Sequence, residues 1–304
     1  MEALTTLDVL ADRIARGEPA TTADVQLLFD TSDVIAVGAL ADDVRRRIHG
    51  RRTTFVRVFE VHLDAPPASL TKEVAAGEVR IIGRPASLSD AVTAVRAVFA
   101  VAGGMPLSGF SLVDLQTLAS IEARPLDEIV AALRDAGLES IAEVPIDRIN
   151  HASAAVATAR GAGLRVRRVT VDTLTSDTRI STLESARDLQ DCVGDIQAFA
   201  PLPRQISVAE PTTGYADIKQ VAAARLLVQN IPSIQVDWPL YGPKLAQVAL
   251  TMGADDVDGV AAVDPGTLGT RRSPLEEIRG NIRAAALEPI ERDGRFEILA
   301  RAGA

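Results

Sequence analysis

The fold is indicated most clearly by residues 164–199, which read LRVRRVTVDTLTSDTRISTLESARDLQDCVGDIQAF. A β-branched run at Leu164–Val171 is followed by a helical stretch at Leu183–Val193 and then by a second apolar run at Ile196–Phe199. Short strands that alternate with helices of about 10 to 15 residues predict parallel pairing through βαβ crossovers. This stretch therefore predicts one unit of an α/β fold.

The same alternation extends over most of the chain. Further strands are predicted at Thr54–Val61, Val79–Ile82, Ile234–Trp238 and Val257–Val263, with weaker candidates at Leu107–Phe110 and Leu138–Ile141. Eight strands predict a closed or nearly closed (β/α) barrel, because barrels of roughly 250 residues fold as one unit. We assign the barrel, with a closing helix and tail, to residues 53–304. Residues 1–52, with apolar residues at helical spacing, form a helical N-terminal extension.

Composition limits the classes of function. The chain has 304 residues and a formal net charge of −9. An acidic chain argues against nucleic-acid binding, because neutralising phosphates needs clustered Lys and Arg. The sequence shows neither the pattern of a secretory signal nor an apolar run of about 18 residues. We therefore expect a cytoplasmic protein that does not bind a membrane.

The chain has a single cysteine, Cys192, which excludes a cysteine-held zinc or iron–sulfur site. Its position on a predicted helix indicates a small buried hydrophobic residue. His49, His62 and His151 lie far apart, and none has a second His or Cys at ligand spacing. No metal site is predicted.

Candidate ligand-binding residues follow from the barrel itself. In such folds, ligand groups lie at the carboxyl ends of the strands and in the loops that follow. The residues selected in this way are Glu60, His62, Asp64, Arg84, Asp172, Gln197, Phe199, Asp237, Trp238 and Asp264. They form a set of mixed charge. The alternative explanation is that charged residues commonly cluster at strand ends because these ends are exposed to solvent. No catalytic residue is assigned.

Several short motifs resemble a known family. They are the run Gln-Ala-Phe-Ala-Pro-Leu at 197–202, Asn-Ile-Pro at 230–232 and Gly-Ala-Asp-Asp at 253–256. These motifs are similar to those of the radical-SAM enzymes of the futalosine route to menaquinone, aminofutalosine synthase and its cyclase relative. The resemblance spans nearly the whole chain and implies a barrel of the radical-SAM, or TIM, type.

The resemblance also implies a set of residues on the substrate side of the pocket. The matching positions are Gln197, Phe199, Trp238, Asp255 and Asp256. The two adjacent aspartates follow a helix and a glycine, so they could equally cap or terminate structure.

The departures from the family concern its cofactor. The family holds an iron–sulfur cluster on a Cys-x-x-x-Cys-x-x-Cys loop after its first strand, which leaves one iron open for SAM. The corresponding residues here, 62–70, read HLDAPPASL and contain no cysteine. A Gly-Gly-Gly-Ala-Glu run after the fourth strand is replaced by AEVPI at 142–146. One His and one Asp cannot replace three thiolates, so no cofactor is predicted, and the changes count against SAM binding.

Two losses that affect the same cofactor predict that the radical chemistry has been given up. The first hypothesis is a pseudoenzyme, or a partner subunit of an active radical-SAM paralogue or of another enzyme of menaquinone synthesis. The second is a cluster-free lyase or hydrolase that acts on a futalosine-like molecule, with Glu60, His62, Asp172 or Asp237 as acid–base groups. The third is a carrier that binds such a molecule and releases it unchanged.

Overall fold

A computed structural model describes residues 7–69, 76–205, 211–263 and 274–299 of the chain. The strands are β1 (Arg52–His62), β2 (Glu78–Ile82), β3 (Leu107–Ser111), β4 (Ser140–Pro145), β5 (Arg165–Val166), β6 (Arg168–Val171), β7 (Ala198–Pro203), β8 (Ser233–Asp237), β9 (Asp256–Ala261) and β10 (Glu288–Arg292). The helices are α1 (Leu7–Ala15), α2 (Thr22–Asp30), α3 (Val34–His49), α4 (Leu88–Val101), α5 (Leu112–Ile121), α6 (Leu126–Asp135), α7 (Ala152–Gly161), α8 (Arg179–Val193), α9 (Gly214–Leu227), α10 (Trp238–Leu250) and α11 (Pro274–Ala284).

The strands form a closed parallel barrel. Neighbours pair in the order β1, β2, β3, β4, β6, β7, β8 and β9, and β9 returns to β1, where Phe55 pairs with Val257. The short strand β5 pairs with β4 just before β6 does, so the two act as one barrel strand interrupted at Arg167. The predicted (β/α) barrel is confirmed, and the two weaker strand candidates are β3 and β4.

A further strand lies at the amino-terminal end of the barrel. β10 pairs in parallel with the first half of β1, whereas β2 pairs with the second half. The chain then turns back, so that Arg292 bridges Ile298 in antiparallel fashion. The Gly294 N–H donates to the carbonyl of Gly77, just before β2, at 3.0 Å. The predicted closing tail is thus a strand and a hairpin beneath the barrel.

Helices α2 and α3 begin at clear capping residues. At the start of α2, the Thr21 hydroxyl accepts from the Asp24 N–H at 3.3 Å, and Asp24 accepts from the Thr21 N–H at 2.7 Å. Asp33 caps α3 by accepting from the Ala36 N–H at 2.9 Å. These helices pack mainly on α9 of the barrel. No helix within the described ranges is long and apolar enough to cross a membrane.

The interior has two parts with different chemistry. Apolar side chains from the strands and helices, such as Val79, Ile81 and Val95, form the layer between the barrel and its surrounding helices. Alternate residues of a strand point to opposite faces. Glu78 and Arg80 therefore point along the barrel axis, and both are buried. The axis of this barrel is consequently polar, and this feature shapes the candidate site.

Candidate functional site

A cavity of about 500 Å³ opens at the carboxyl-terminal end of the barrel, and we call it the mouth. Glu60 of β1, Glu143 of β4 and Asp237 of β8 contribute carboxylates to its lining, and Arg204, which follows β7, contributes a guanidinium. Parallel strands end on one side of a barrel, so residues distant in sequence meet there. The mouth is both open and rich in hydrogen-bonding groups.

Arg204 lies between two carboxylates at the mouth. Its Nε is 2.7 Å from Oε2 of Glu143, and its Nη2 is 3.4 Å from Oδ2 of Asp237. The other carboxylate oxygen of Asp237 caps α10 by accepting from the Leu240 N–H at 3.1 Å. Burial raises the pKa of the Asp237 carboxyl, and the negative charge of Asp258 adds to this, although Arg204 opposes it. Asp237 therefore retains a proton to higher pH than an ordinary aspartate does.

An ion-pair network fills the axis below the mouth, and we call it the axial network. The Arg80 guanidinium bonds both oxygens of Glu78 at 2.9 and 3.0 Å and both oxygens of Asp258 at 2.8 and 2.9 Å. Arg168 also donates to Asp258, and its Nε donates to the carbonyl of Ala142 at 2.9 Å. Four charged side chains from β2, β6 and the bulged β9 thus form one buried cluster.

The charges within the axial network support one another to different degrees. Burial opposes the charge of Arg80, but Asp258 and Glu78 outweigh it and raise its pKa well above the usual value. Burial also opposes the charge of Asp258, yet Arg168 and Arg80 hold its pKa well below the ordinary range. Burial and repulsion from Arg80 lower the pKa of Arg168. Arg168 is therefore the least compensated member of the network.

A bulge in β9 accompanies the placement of Asp258. Between Phe55 and Arg57, β1 has one residue where β9 has two, Asp258 and Gly259. Gly259 has a φ of +75°, and a Cβ there would lie 2.8 Å from Pro239 Cδ. A bulge re-aims the side chains of its strand. The need for glycine thus arises from backbone conformation and from the close approach of α10.

Sequence reasoning missed the axial network and the mouth arginine. The missed residues are Glu78, Arg80, Glu143, Arg168, Arg204 and Asp258. One available signal was charge at alternate positions of an apolar strand, as in Glu-Val-Arg-Ile at 78–81. That signal identifies an inward face, but it does not reveal which charges from other strands meet it.

The structure brings some of the predicted residues to the mouth. Glu60 and Asp237 line the cavity, as does Arg84, whose exposed guanidinium pairs with Asp114 at 2.7 Å. No hydrogen bond or ion pair from the described residues engages the Glu60 carboxylate. Trp238 begins α10, where it is partly buried against the apolar layer.

Other predicted residues lie near this end of the barrel but outside the mouth. His62 ends β1 and is exposed. Asp64 lines a neighbouring cavity of about 550 Å³ beside α4. Asp172 accepts from Gln205 at 2.9 Å, and burial and the nearby Asp147 raise its pKa. Asp264 lies outside the described residues.

Four predicted residues are not at the mouth. Gln197 precedes β7 because that strand spans 198–203, so the sequence-based strand ended where the actual strand begins. Phe199 is fully buried in the apolar layer. Asp255 and Asp256 lie at the start of β9, at the amino-terminal end of the barrel. Their expected place on the substrate side of the mouth is therefore corrected.

The two aspartates at the start of β9 have structural partners. Asp255 bonds the Arg225 guanidinium and accepts from the Ile234 N–H at 2.9 Å. Asp256 receives two bonds from Arg292, at 2.7 and 2.6 Å. The alternative interpretation, in which these aspartates fix structure, matches these contacts.

The residues present do not fit an iron–sulfur cluster of the family's kind. The only thiol in the sequence, that of Cys192, lies near the end of α8. This helix runs back from the mouth end, so the thiol is remote from the β1 loop, and it is exposed, contrary to the expected burial. Within the described ranges, no group of three or more His, Cys, Asp or Glu could hold a metal ion.

Comparisons with known proteins bear on this barrel. No protein-family model matches the chain. The aminodeoxyfutalosine synthase of Thermus thermophilus is 25% identical over an alignment of 358 positions, which covers 94% of this chain and 94% of the relative. The cyclic dehypoxanthine futalosine synthase of Streptomyces coelicolor is 30% identical over 133 residues, which cover 41% of this chain and 33% of the relative.

This chain is a divergent relative of the futalosine-type radical-SAM enzymes. Among solved structures, methylornithine synthase has the same fold, with a TM-score of 0.63 over 92% of this chain and 97% of that one. The two are 14% identical, so this likeness concerns the fold alone. The resemblance indicated by the sequence motifs is confirmed.

Proposed function

We propose that this chain is a cluster-free pseudoenzyme of the futalosine-type radical-SAM family, which binds a small polar molecule at its mouth and acts on an active enzyme as a partner subunit. One observation carries the proposal. The barrel keeps an open mouth, but its only thiol lies on the outside of α8, far from the loop where the family holds its cluster. No thiol lies at the loop that would hold the cofactor, whereas the cavity that could bind a ligand is present.

The ion pairs of the chain itself support the loss of SAM chemistry. Where the family has a run of glycines after its fourth strand, this chain has Glu143, whose carboxylate pairs with Arg204. A glycine run leaves space and backbone groups for a cofactor, whereas these side chains occupy the position with a salt bridge. The space that remains suits a polar molecule that offers both donors and acceptors, such as a futalosine-like nucleoside.

The rim of the mouth supports the partner role. Leu240 and Tyr215, at the mouth ends of α10 and α9, are 49% and 73% exposed. A contiguous apolar patch beside a ligand cavity marks an interaction surface, and the partner role assigns these two residues to one such patch. The proposed partner is a radical-SAM paralogue or another enzyme of menaquinone synthesis, in the cytoplasm.

Anaerobic reconstitution with iron and sulfide tests the cluster-free state. The expected result is no visible absorbance from a cluster and no heat of binding on titration with SAM. A chain that retains cluster iron after desalting, or that binds SAM saturably, would overturn the proposal.

Co-purification tests the partner role. The tagged chain is expected to retain the futalosine-type enzyme of its own cells, and adding it is expected to change that enzyme's turnover. Leu240→Asp should weaken the association, while Ile121→Asp, which places the same charge on an exposed apolar residue of α5, should not. Equal effects of the two variants, or unchanged turnover, would exclude this partner surface.

A second candidate, a repurposed lyase or hydrolase, is favoured by the pair of carboxylates at the mouth. Burial raises the pKa of Asp237, as a general acid requires, and Glu60 is exposed and unpaired among the described residues. Incubation with futalosine analogues, followed by mass spectrometry, tests it. Product that forms with the wild type and is lost in Asp237→Asn but kept in Asp172→Asn would support it, and absence of product would exclude it for these compounds.

A further inference from the structure

A second cavity, of about 230 Å³, lies at the opposite end of the barrel from the mouth, and we call it the base pocket. It is bordered by the starts of β1 and β8, by the end of α3 and by the hairpin after β10. The axial network of Glu78, Arg80 and Asp258 occupies the barrel axis. The base pocket is therefore a separate site, and its occupancy does not depend on the function proposed for the mouth.

The carboxylates near the base pocket are already neutralised. Asp255 bonds Arg225, and Asp256 receives two bonds from Arg292. Arg52, which also lines the pocket, forms no ion pair or side-chain hydrogen bond with any part of the chain that the structure describes. Once the paired charges cancel, the positive charge of Arg52 is left over. The pocket therefore favours an anion.

The remaining polar groups of the pocket are held in place. The Nε2 of His49 lies 2.9 Å from the carbonyl of Pro232 and 3.2 Å from Oδ2 of Asp255. Both neighbours are acceptors, so Nε2 carries the proton and the ring is fixed against this wall. Gln197 and Ser233 add neutral polar groups to the lining.

One wall of the pocket is apolar. Ile290, Phe296 and Ile298 line it, and Ile298 is 61% exposed although it is a large aliphatic residue. The Phe296 ring is fixed by the Arg292 guanidinium, which lies 4.0 Å from its centroid. An inorganic anion would leave this wall in water, whereas an organic anion would cover it.

We propose that the base pocket binds a small monocarboxylate with an apolar body, whose carboxylate pairs with Arg52 and whose body covers Ile290, Phe296 and Ile298. The size of the pocket agrees, because an apolar cavity of about 150 Å³ holds a molecule as large as benzene. Binding would also stabilise the hairpin after β10, because that hairpin supplies Phe296 and Ile298 to the apolar wall.

The test is a ligand-observed NMR titration of the full chain with isovalerate. The expected affinity is of the order of millimolar, as for other ligands of this size. The uncharged analogue isovaleramide should bind about tenfold more weakly, because it loses the charge-assisted pair. Inorganic phosphate should also bind more weakly than isovalerate, because it has no apolar body.

Matched variants locate the site. Arg52→Gln should weaken isovalerate binding about tenfold, whereas Arg51→Gln removes the same charge one residue away, outside the lining, and should leave it unchanged. Ile298→Asp should abolish binding by repelling the carboxylate. Arg204→Gln, at the mouth, should have no effect on isovalerate, so failure here is distinguishable from failure of the function proposed for the mouth. No saturable binding, equal binding of isovaleramide, or equal effects of the two arginine variants would overturn the proposal.

Discussion

The two ends of the barrel use similar residues in different ways. At the base, each buried aspartate has an arginine of its own, as in the two-bonded pair of Asp256 and Arg292. At the mouth, Arg204 is shared between Glu143 and Asp237, and Glu60 has no partner among the described residues. Carboxylates that are fully paired with arginines stabilise the fold, whereas charged groups without a partner among the described residues, such as Glu60 at the mouth and Arg52 in the base pocket, can bind a ligand. This division matches barrels in general, whose carboxyl end carries function and whose amino end carries stability.

The largest loss of unfolding free energy is expected from Asp258→Asn, in the axial network between the base and the mouth. The change removes the carboxylate that Arg80 and Arg168 share, and it leaves buried guanidinium groups undercompensated. Breaking a buried ion pair from one side costs about 3–5 kcal/mol of unfolding free energy. Urea unfolding, followed by the fluorescence of the single tryptophan, Trp238, measures this loss. The control is Asp114→Asn, whose partner Arg84 is exposed; a comparable loss there would show that burial is not the cause.

The next largest loss of unfolding free energy is expected at the base, and a matched variant at the mouth should lose less. Arg292→Met should cost about 3 kcal/mol, because it leaves the fully buried Asp256 without its main cation. Arg204→Met should cost about 1 kcal/mol, because Arg204 and its nearer partner Glu143 are both partly exposed. Both losses are read from urea midpoints. Equal losses would remove the distinction between the two ends.

The pH dependence should have opposite signs for Asp258 and Asp237. The pKa of Asp258 is lowered, so its charge stabilises the fold at neutral pH, and this stability is lost as the pH falls through the folded pKa. The pKa of Asp237 is raised by burial, so the folded state binds the proton more tightly and the fold loses stability as the pH rises above the unfolded value of about 3.9.

Asp237→Asn tests this sign. The variant is expected to match or exceed the wild type in unfolding free energy at neutral pH, since asparagine caps a helix as well as aspartate does. The difference should disappear in acid, where the wild-type carboxyl is protonated. A variant that is less stable at neutral pH would mean that the pair with Arg204 outweighs burial.

The smallest effect is expected at the rim. Arg84→Gln breaks an ion pair in which the arginine side chain is 72% exposed. Such surface pairs contribute about 0–1 kcal/mol, and salt reduces this further. The unfolding midpoint should therefore barely change between low and high salt. A loss as large as that of Arg292→Met would show that the rim is structural.

Much of the fold could be predicted, because local patterns determine it. The alternation of strands and helices predicted all eight barrel strands, including the weak candidates that became β3 and β4. The boundaries were less accurate at β7, where the predicted strand, Ile196–Phe199, begins and ends before the observed one, Ala198–Pro203. That error moved Gln197 from the base to the mouth.

The candidate site was predicted only in part. Glu60, Arg84 and Asp237 were found because the rule about strand ends applies to any barrel. Asp255 and Asp256 were misplaced, because a resemblance shows that residues match a family and not which end of the barrel they occupy. Cys192 was expected to be buried, yet the face of α8 on which it lies is exposed.

The order of the residues is enough to predict the barrel and to show that the chain lacks the thiolates for a cluster. The alternation of strands and helices is a local property of the chain, and the number of cysteines is read directly from the sequence. The sequence could not show that Glu78, Arg80, Arg168 and Asp258 share the axis, because this depends on the register and inward faces of three different strands, β2, β6 and β9. Charge pairing acts through space, so the packing of the strands decides that the buried aspartates of the base are paired with arginines while the mouth stays open.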